Sequence, residues 1–209
     1  MAPPFLPSRR RAQPVHSPVF SLPGRCWRRW RWWRWRSRLA QVRLLVLEVD
    51  GVLTDGGLWY GAEGELAKRF DVRDGLGIRL LQQAGLEVAF LSGGRGGATE
   101  RRAAHLGIRH CLVGASDKPA VLGQLATSLQ LEAAAIAFVG DDLNDLAVRA
   151  QVGVLVATAD GAPALRRQAD LVLSRPGGHG AVRELAERLL QPTPFWRELS
   201  ANGWRDRND

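Results

Sequence analysis

Four consecutive apolar residues, Leu44-Leu45-Val46-Leu47, run directly into Glu48-Val49-Asp50-Gly51-Val52-Leu53-Thr54-Asp55-Gly56. A strand with one wet face alternates apolar and polar residues. An unbroken apolar run predicts instead a parallel strand covered on both faces. Side chains two apart lie on the same side of a strand, so Glu48 and Asp50 emerge together at its C-terminal end, where open α/β sheets place their ligands. Two like charges held this close require a cation or a shared proton. Taken alone, the stretch fits a metal–phosphate site and a solvated strand end equally well.

The rest of the chain repeats the pattern of short apolar runs separated by helical segments. Val88–Leu91, Ile108–Val113, Ile136–Val139, Val152–Val156 and Leu171–Leu173 read as further strands, and 75–84, 98–106, 118–129 and 181–190 as helices. Leu58-Trp59-Tyr60 and Glu65–Phe70, flanking a turn of Gly61, Glu63 and Gly64, read as a β-hairpin. Strands alternating with helices predict an α/β fold, a doubly wound parallel sheet with right-handed connections.

The net charge of +8 is confined to one end. Residues 1–43 hold eleven arginines and no acidic residue, which leaves 18 basic against 21 acidic residues in the remainder. A body carrying about −3 gives no reason to invoke nucleic acid. Residues 1–24 lack periodicity and read as disordered. In residues 25–36 arginine alternates with five tryptophans. This chemistry suits an anionic membrane surface or single-stranded nucleic acid; the favoured reading is a disordered extension, or translated sequence upstream of the true start. The expected organisation is an extension over 1–40, a domain over 41–191 and a polar tail over 192–209. Two cysteines far apart, Cys26 and Cys111, suggest no disulfide framework and fit a reducing cytoplasm.

Each chemically interesting cluster follows a predicted strand. Glu48 and Asp50 follow the first, Ser92 and Gly93 the second, and Asp141, Asp142 and Asp145 a later one, while Lys118 opens a helix. All converge on one sheet edge. Acidic oxygens from two loops suit Mg²⁺. The Ser92 hydroxyl, backbone N–H groups and Lys118 suit phosphate oxygens. Asp50 can serve as acid and base, and a carboxylate can serve as nucleophile. His105, His110 and His179 lack metal-ligand spacing.

In this order and spacing the clusters resemble the haloacid dehalogenase superfamily of aspartate-nucleophile phosphatases. Asp50–Gly56, Phe70-Asp71-Val72-Arg73-Asp74-Gly75-Leu76-Gly77-Ile78-Arg79, Gly140–Asp145 and Gly177-Gly178-His179-Gly180-Ala181-Val182-Arg183-Glu184 narrow it to the 3-deoxy-D-manno-octulosonate 8-phosphate (KDO 8-phosphate) phosphatase family. The resemblance covers roughly residues 42–190. It implies a small phosphatase with a β-hairpin insertion and no large cap domain, a homotetramer around the hairpins, Mg²⁺ as cofactor and a phosphorylated sugar acid as substrate. By position it implies Glu48 as nucleophile, Asp50 as acid/base, metal ligation by Glu48, Asp50 and Asp141, and a supporting metal shell of Asp142 and Asp145. It further implies phosphate binding by Ser92, Gly93 and Lys118, and substrate contacts from Asp50, Asp71, Val72, Arg73, Asp74, Gly75, Arg79, Arg102 and Lys118.

Two residues depart from that family's pattern. Glu48 stands where the family has Asp, and Gly94 where it has Arg, with Arg95 next in sequence. One extra methylene moves the carboxylate by about one carbon–carbon bond, roughly 1.5 Å, and a displacement near 1 Å costs about 10²-fold in rate. The function expected is hydrolysis of KDO 8-phosphate; the alternative is an impaired relative that keeps the fold to bind a ligand or to oligomerise.

Overall fold

The structure, a computed structural model, describes residues 37–204. The Arg/Trp segment and the disorder expected over 1–24 lie outside the described residues. Six strands form one parallel sheet: β1 (Leu44–Leu47), β4 (Glu87–Leu91), β5 (His110–Leu112), β6 (Ile136–Gly140), β7 (Val154–Ala157) and β8 (Leu171–Val172). Their order is β5-β4-β1-β6-β7-β8. β1 therefore sits in the middle, between β4 and β6, and the chain winds outward from it in both directions. This is the doubly wound arrangement expected, and it puts the topological switch point beside Glu48. β2 (Leu58–Gly61) and β3 (Gly64–Lys68) form a separate antiparallel hairpin.

The central strand is fully buried because both faces are covered. On one face Leu45 and Leu47 join a core with α1 (Val72–Gln83) and α5 (Ala181–Leu190); on the other Leu44 and Val46 pack with Leu122 and Leu125 of α3 (Lys118–Ser128). α2 (Gly97–His105) follows β4. α1 starts a turn earlier than the sequence suggests, N-capped by Asp71, whose side chain accepts from the Arg73 N–H. Gly75 and Gly77 lower helix propensity there, and packing explains their presence. A Cβ on Gly77 would lie 3.0 Å from the Arg183 Cα of α5, so glycine lets the two helices touch.

The expected boundaries need correction at both ends. Leu39, assigned to the extension, is buried in the core. The polar tail contains α6 (Pro194–Asn202), with Phe195, Trp196 and Leu199 packed on the core. The signal was present: Thr193 N-caps the helix through the Trp196 N–H and Pro194 opens it. A nine-residue 3₁₀ stretch, Leu143–Gln151, and short α4 (Pro163–Gln168) were also unanticipated. Among the described residues no helix is long and apolar enough to cross a membrane.

Gly77→Leu forces side-chain volume between α1 and α5. The expected loss is about 1–3 kcal/mol, read as a drop in melting temperature; an unchanged melting temperature would show that the helices have room to part.

Candidate active site

The loop after β1 is built by its own backbone. Leu53 and Thr54 donate their N–H groups to the Val49 carbonyl at 2.9 and 3.0 Å, and Gly51 adopts φ +85°. A Cβ on Gly51 would stand 2.1 Å from Asp141 Oδ2, so the carboxylate after β6 lies directly on the glycine after β1. These two loops, with Gly93 and Gly94 after β4, line an open cleft of about 500 Å³, completed by Glu48, Asp50, Asp142, Leu143 and Asn144.

Asp145, fully buried, organises the β6 loop. Its Oδ2 accepts the Asp141 N–H at 2.9 Å and the Asp142 N–H at 3.3 Å, while Asp142 caps the 3₁₀ stretch in return. Asp145 Oδ1 also holds Lys118 Nζ at 2.5 Å, and the same ammonium lies 3.6 Å from Glu48 Oε1. Lys118 is thus locked between two acids below the cleft. Ser92 is buried beside Glu48, and its hydroxyl accepts the Gly94 N–H at 3.2 Å.

Lys68 was not anticipated. Its side chain is buried at the end of β3, and Nζ donates to Asp50 Oδ2 at 2.8 Å. It reaches the site across Gly94, where a Cβ would sit 3.0 Å from Asp50 Oδ2 and 3.5 Å from Lys68 Nζ. Arg95 does not take the place of a side chain at 94, because it lies across Gly114 instead. The missed signal was compositional: among 29 basic residues only Lys68 and Lys118 are lysines, and both are buried here.

Glu48 Oε2 and Asp50 Oδ1 are buried and accept no hydrogen bond among the described residues. Burial, the main cause, with the neighbouring Asp145 and Asp141 raises Glu48 from 4.5 to about 8, against Lys118 and Ser92. Burial, then Asp145 and Asp142, raises Asp141 from 3.8 to about 7. Orphaned acceptors among crowded, desolvated carboxylates are what a bound divalent cation satisfies. No group of three His, Cys, Asp or Glu side chains among the described residues forms a ready metal cage. Mg²⁺ takes one or two carboxylates and otherwise keeps waters and substrate oxygens.

Of the residues expected to contact substrate, Asp50 lines this cleft, whereas Asp71, Val72, Arg73, Asp74, Gly75, Arg79 and Arg102 do not. Asp74 is buried and accepts N–H groups from Gly180 and Arg183 at 3.1 and 2.8 Å, so in this fold it joins α1 to α5. Asp71 and Arg73 pair with each other at the surface, and Val72 is exposed. Arg79 donates to the His105 carbonyl, and Arg102 rests on Gly75 with its guanidinium over the Phe70 ring.

The raised carboxyls set a sign for pH dependence. The unfolded chain ionises near the ordinary values, whereas the folded chain keeps these protons to about pH 7 and 8. Each group therefore withdraws stability from the metal-free fold as pH climbs from about 4 through about 8. In chelator, the melting temperature should fall from about pH 5 to about pH 8, and Glu48→Gln should flatten the fall. An equal slope in Glu48→Gln would contradict this assignment.

Residues 60–153 match the haloacid dehalogenase-like hydrolase family. The chain is 45% identical over 153 residues to the 3-deoxy-D-manno-octulosonate 8-phosphate phosphatase KdsC of Yersinia pestis, covering 73% of this chain and 82% of that one. A crystal structure of the Y. pestis phosphatase superposes with a TM-score of 0.72 at 44% identity, covering 75% and 84% of the two chains. The phosphatase of Moraxella catarrhalis, solved in complex with a magnesium ion, a phosphate ion and KDO, superposes with a TM-score of 0.77 at 34% identity, over 82% and 98%. With a parallel sheet that gathers Glu48, Asp50, Ser92, Lys118 and Asp141 at one edge, the chain belongs to the KDO 8-phosphate phosphatase family of haloacid dehalogenase-like hydrolases.

Proposed function

We propose that this chain is a Mg²⁺-dependent phosphomonoesterase hydrolysing KDO 8-phosphate, or a closely similar phosphorylated sugar acid, to the free sugar acid and inorganic phosphate. The carrying observation is the pair of buried acceptors without partners, Glu48 Oε2 and Asp50 Oδ1, beside Asp141, in a chain 45% identical to such a phosphatase. Glu48, Asp141 and the Asp50 backbone carbonyl would hold the cation, with Asp145 fixing the Asp141 backbone. Bound there, Mg²⁺ neutralises phosphoryl oxygens and favours the ionised form of its carboxylate ligands.

The remaining chemistry belongs to the side chains. A Glu48 oxygen attacks phosphorus as the bond to the sugar oxygen breaks, and Asp50 gives that oxygen its proton. Asp50 then takes a proton from water as it attacks the acyl phosphate, releasing phosphate and restoring Glu48. Lys68 holds Asp50 Oδ2 and so orients the carboxyl whose other oxygen remains available. Lys118 offsets charge beside Glu48.

A second reading, an impaired relative, rests on Glu48 itself, one methylene longer than the aspartate its family uses. Phosphate release from KDO 8-phosphate with Mg²⁺ separates the two. The phosphatase reading expects turnover by the natural protein and a loss of at least about 10²-fold in Asp50→Asn. No turnover by the natural protein, with activity appearing in Glu48→Asp, would favour the impaired relative.

The assembly proposed is a homotetramer in the cytoplasm. Leu58, Trp59 and Tyr60 are exposed on β2, Trp59 and Tyr60 by 68% each. Large aromatics so displayed suit an interface between copies. Sedimentation should show that Trp59→Glu dissociates the natural assembly; identical sedimentation of the two proteins would remove the hairpin from the interface.

A further inference from the structure

The glycine-rich segment before α5 has no part in the chemistry above, yet it presses against the loop that carries Asp50. A Cβ on Gly177 would fall 1.9 Å from the Gly51 carbonyl oxygen, and one on Gly178 would fall 2.4 Å from the Asp55 nitrogen. Gly178 has φ +62° and donates its N–H to the Val52 carbonyl at 2.9 Å. Backbone thus meets backbone, and no side chain fits between. The segment is fastened from three elements. Arg69 donates to the Gly178 carbonyl at 3.0 Å, Asp74 accepts the Gly180 N–H at 3.1 Å, and Asp160 Oδ1 accepts the Gly177 N–H at 3.0 Å.

Asp160 differs from the other two fasteners because of the loop it belongs to. The turn after β7 that contains it also holds the Asp141 backbone: the Ala162 N–H donates to the Asp141 carbonyl at 2.6 Å, and Gly161 packs on that same oxygen. One backbone bond, Ala159 N–H to the Arg175 carbonyl at 3.1 Å, already ties this turn to the glycine segment. The Asp160 side chain adds a second tie, next to Gly177 itself. Two supports, one behind Gly51 and one behind Asp141, are thereby joined to each other.

We infer that Asp160 is a positioning residue that sets the spacing between the Asp50 loop and Asp141 by locking the turn after β7 to the glycine segment. This rests on the phosphatase reading for its kinetic consequence but not for its structural one. The pair of variants Asp160→Ala and Asp160→Asn tests it, because asparagine keeps the acceptor oxygen and alanine does not. Relative to wild type with KDO 8-phosphate and Mg²⁺, Asp160→Ala is expected to lower kcat about tenfold, as for a displacement well under 1 Å, with KM within about twofold. Asp160→Asn is expected to restore it. Hydrogen exchange supplies a readout independent of activity: amides of residues 49–56 should exchange faster in Asp160→Ala, with the global melting temperature nearly unchanged, and return toward wild type in Asp160→Asn. Unchanged exchange over 49–56, or an asparagine variant as impaired as the alanine one, overturns the inference. Absence of turnover in wild type overturns the phosphatase reading alone, and the exchange comparison still decides the role of Asp160.

Discussion

Desolvated negative charge at the centre of the sheet is the constraint on which the rest depends. Glu48, Asp141 and Asp145 are brought together by two neighbouring strands, and water is largely excluded from Glu48 and Asp145. Burying unpaired carboxylates is costly. The fold meets the cost partly by protonation, visible in the raised Glu48 and Asp141 carboxyls, and partly with two buried ammonium groups. Lys118 sits between Asp145 and Glu48, and Lys68 on Asp50. Oxygens remain unpartnered even so. A site left short of positive charge is suited to a divalent cation, which supplies that charge and can in turn hold the oxygens of a phosphoryl group.

Lysine rather than arginine at these two places has a physical sense. Elsewhere the chain uses arginine for every cation. An ammonium is a compact point charge with three donors, able to enter a narrow gap between carboxylates, whereas a planar guanidinium needs a wide, flat partner. Gly94 works in the same direction, leaving room through which Lys68 reaches Asp50. Arginines in this fold work at the periphery: Arg73 on Asp71, Arg102 over Phe70, Arg69 on the Gly178 carbonyl.

Glycine marks where segments approach too closely for a side chain. Gly51 receives the Asp141 carboxylate, Gly77 receives α5, and Gly177 and Gly178 receive the loop after β1. The segment Gly177–Gly180 meets the loop after β1 with backbone against backbone at Gly177 and Gly178. Its glycines answer a packing requirement, and catalytic geometry inherits their placement.

The doubly wound sheet, the central position of the first strand's acids and the convergence of Ser92, Lys118 and Asp141 on one edge were legible in the sequence. Strand–helix alternation and buried-strand composition follow from local, periodic burial. The glutamate at 48 was equally plain, being a matter of identity alone. Lys68 was hidden because its partner Asp50 is 18 residues away and the hairpin must fold back to join them. The contacts of Asp74 were hidden for the same reason, its partners Gly180 and Arg183 lying over a hundred residues downstream. The C-terminal helix carried a Thr-Pro start signal but drew its burial from Phe195, Trp196 and Leu199 against a core the tail alone does not contain. Sequence by itself determined which residues could do chemistry and which strand ends would carry them, because those depend on residue type and local period. Only the tertiary structure decided which charges are paired, which oxygens are left without partners and which loop supports which, because burial and charge pairing are set by chain segments far apart in sequence.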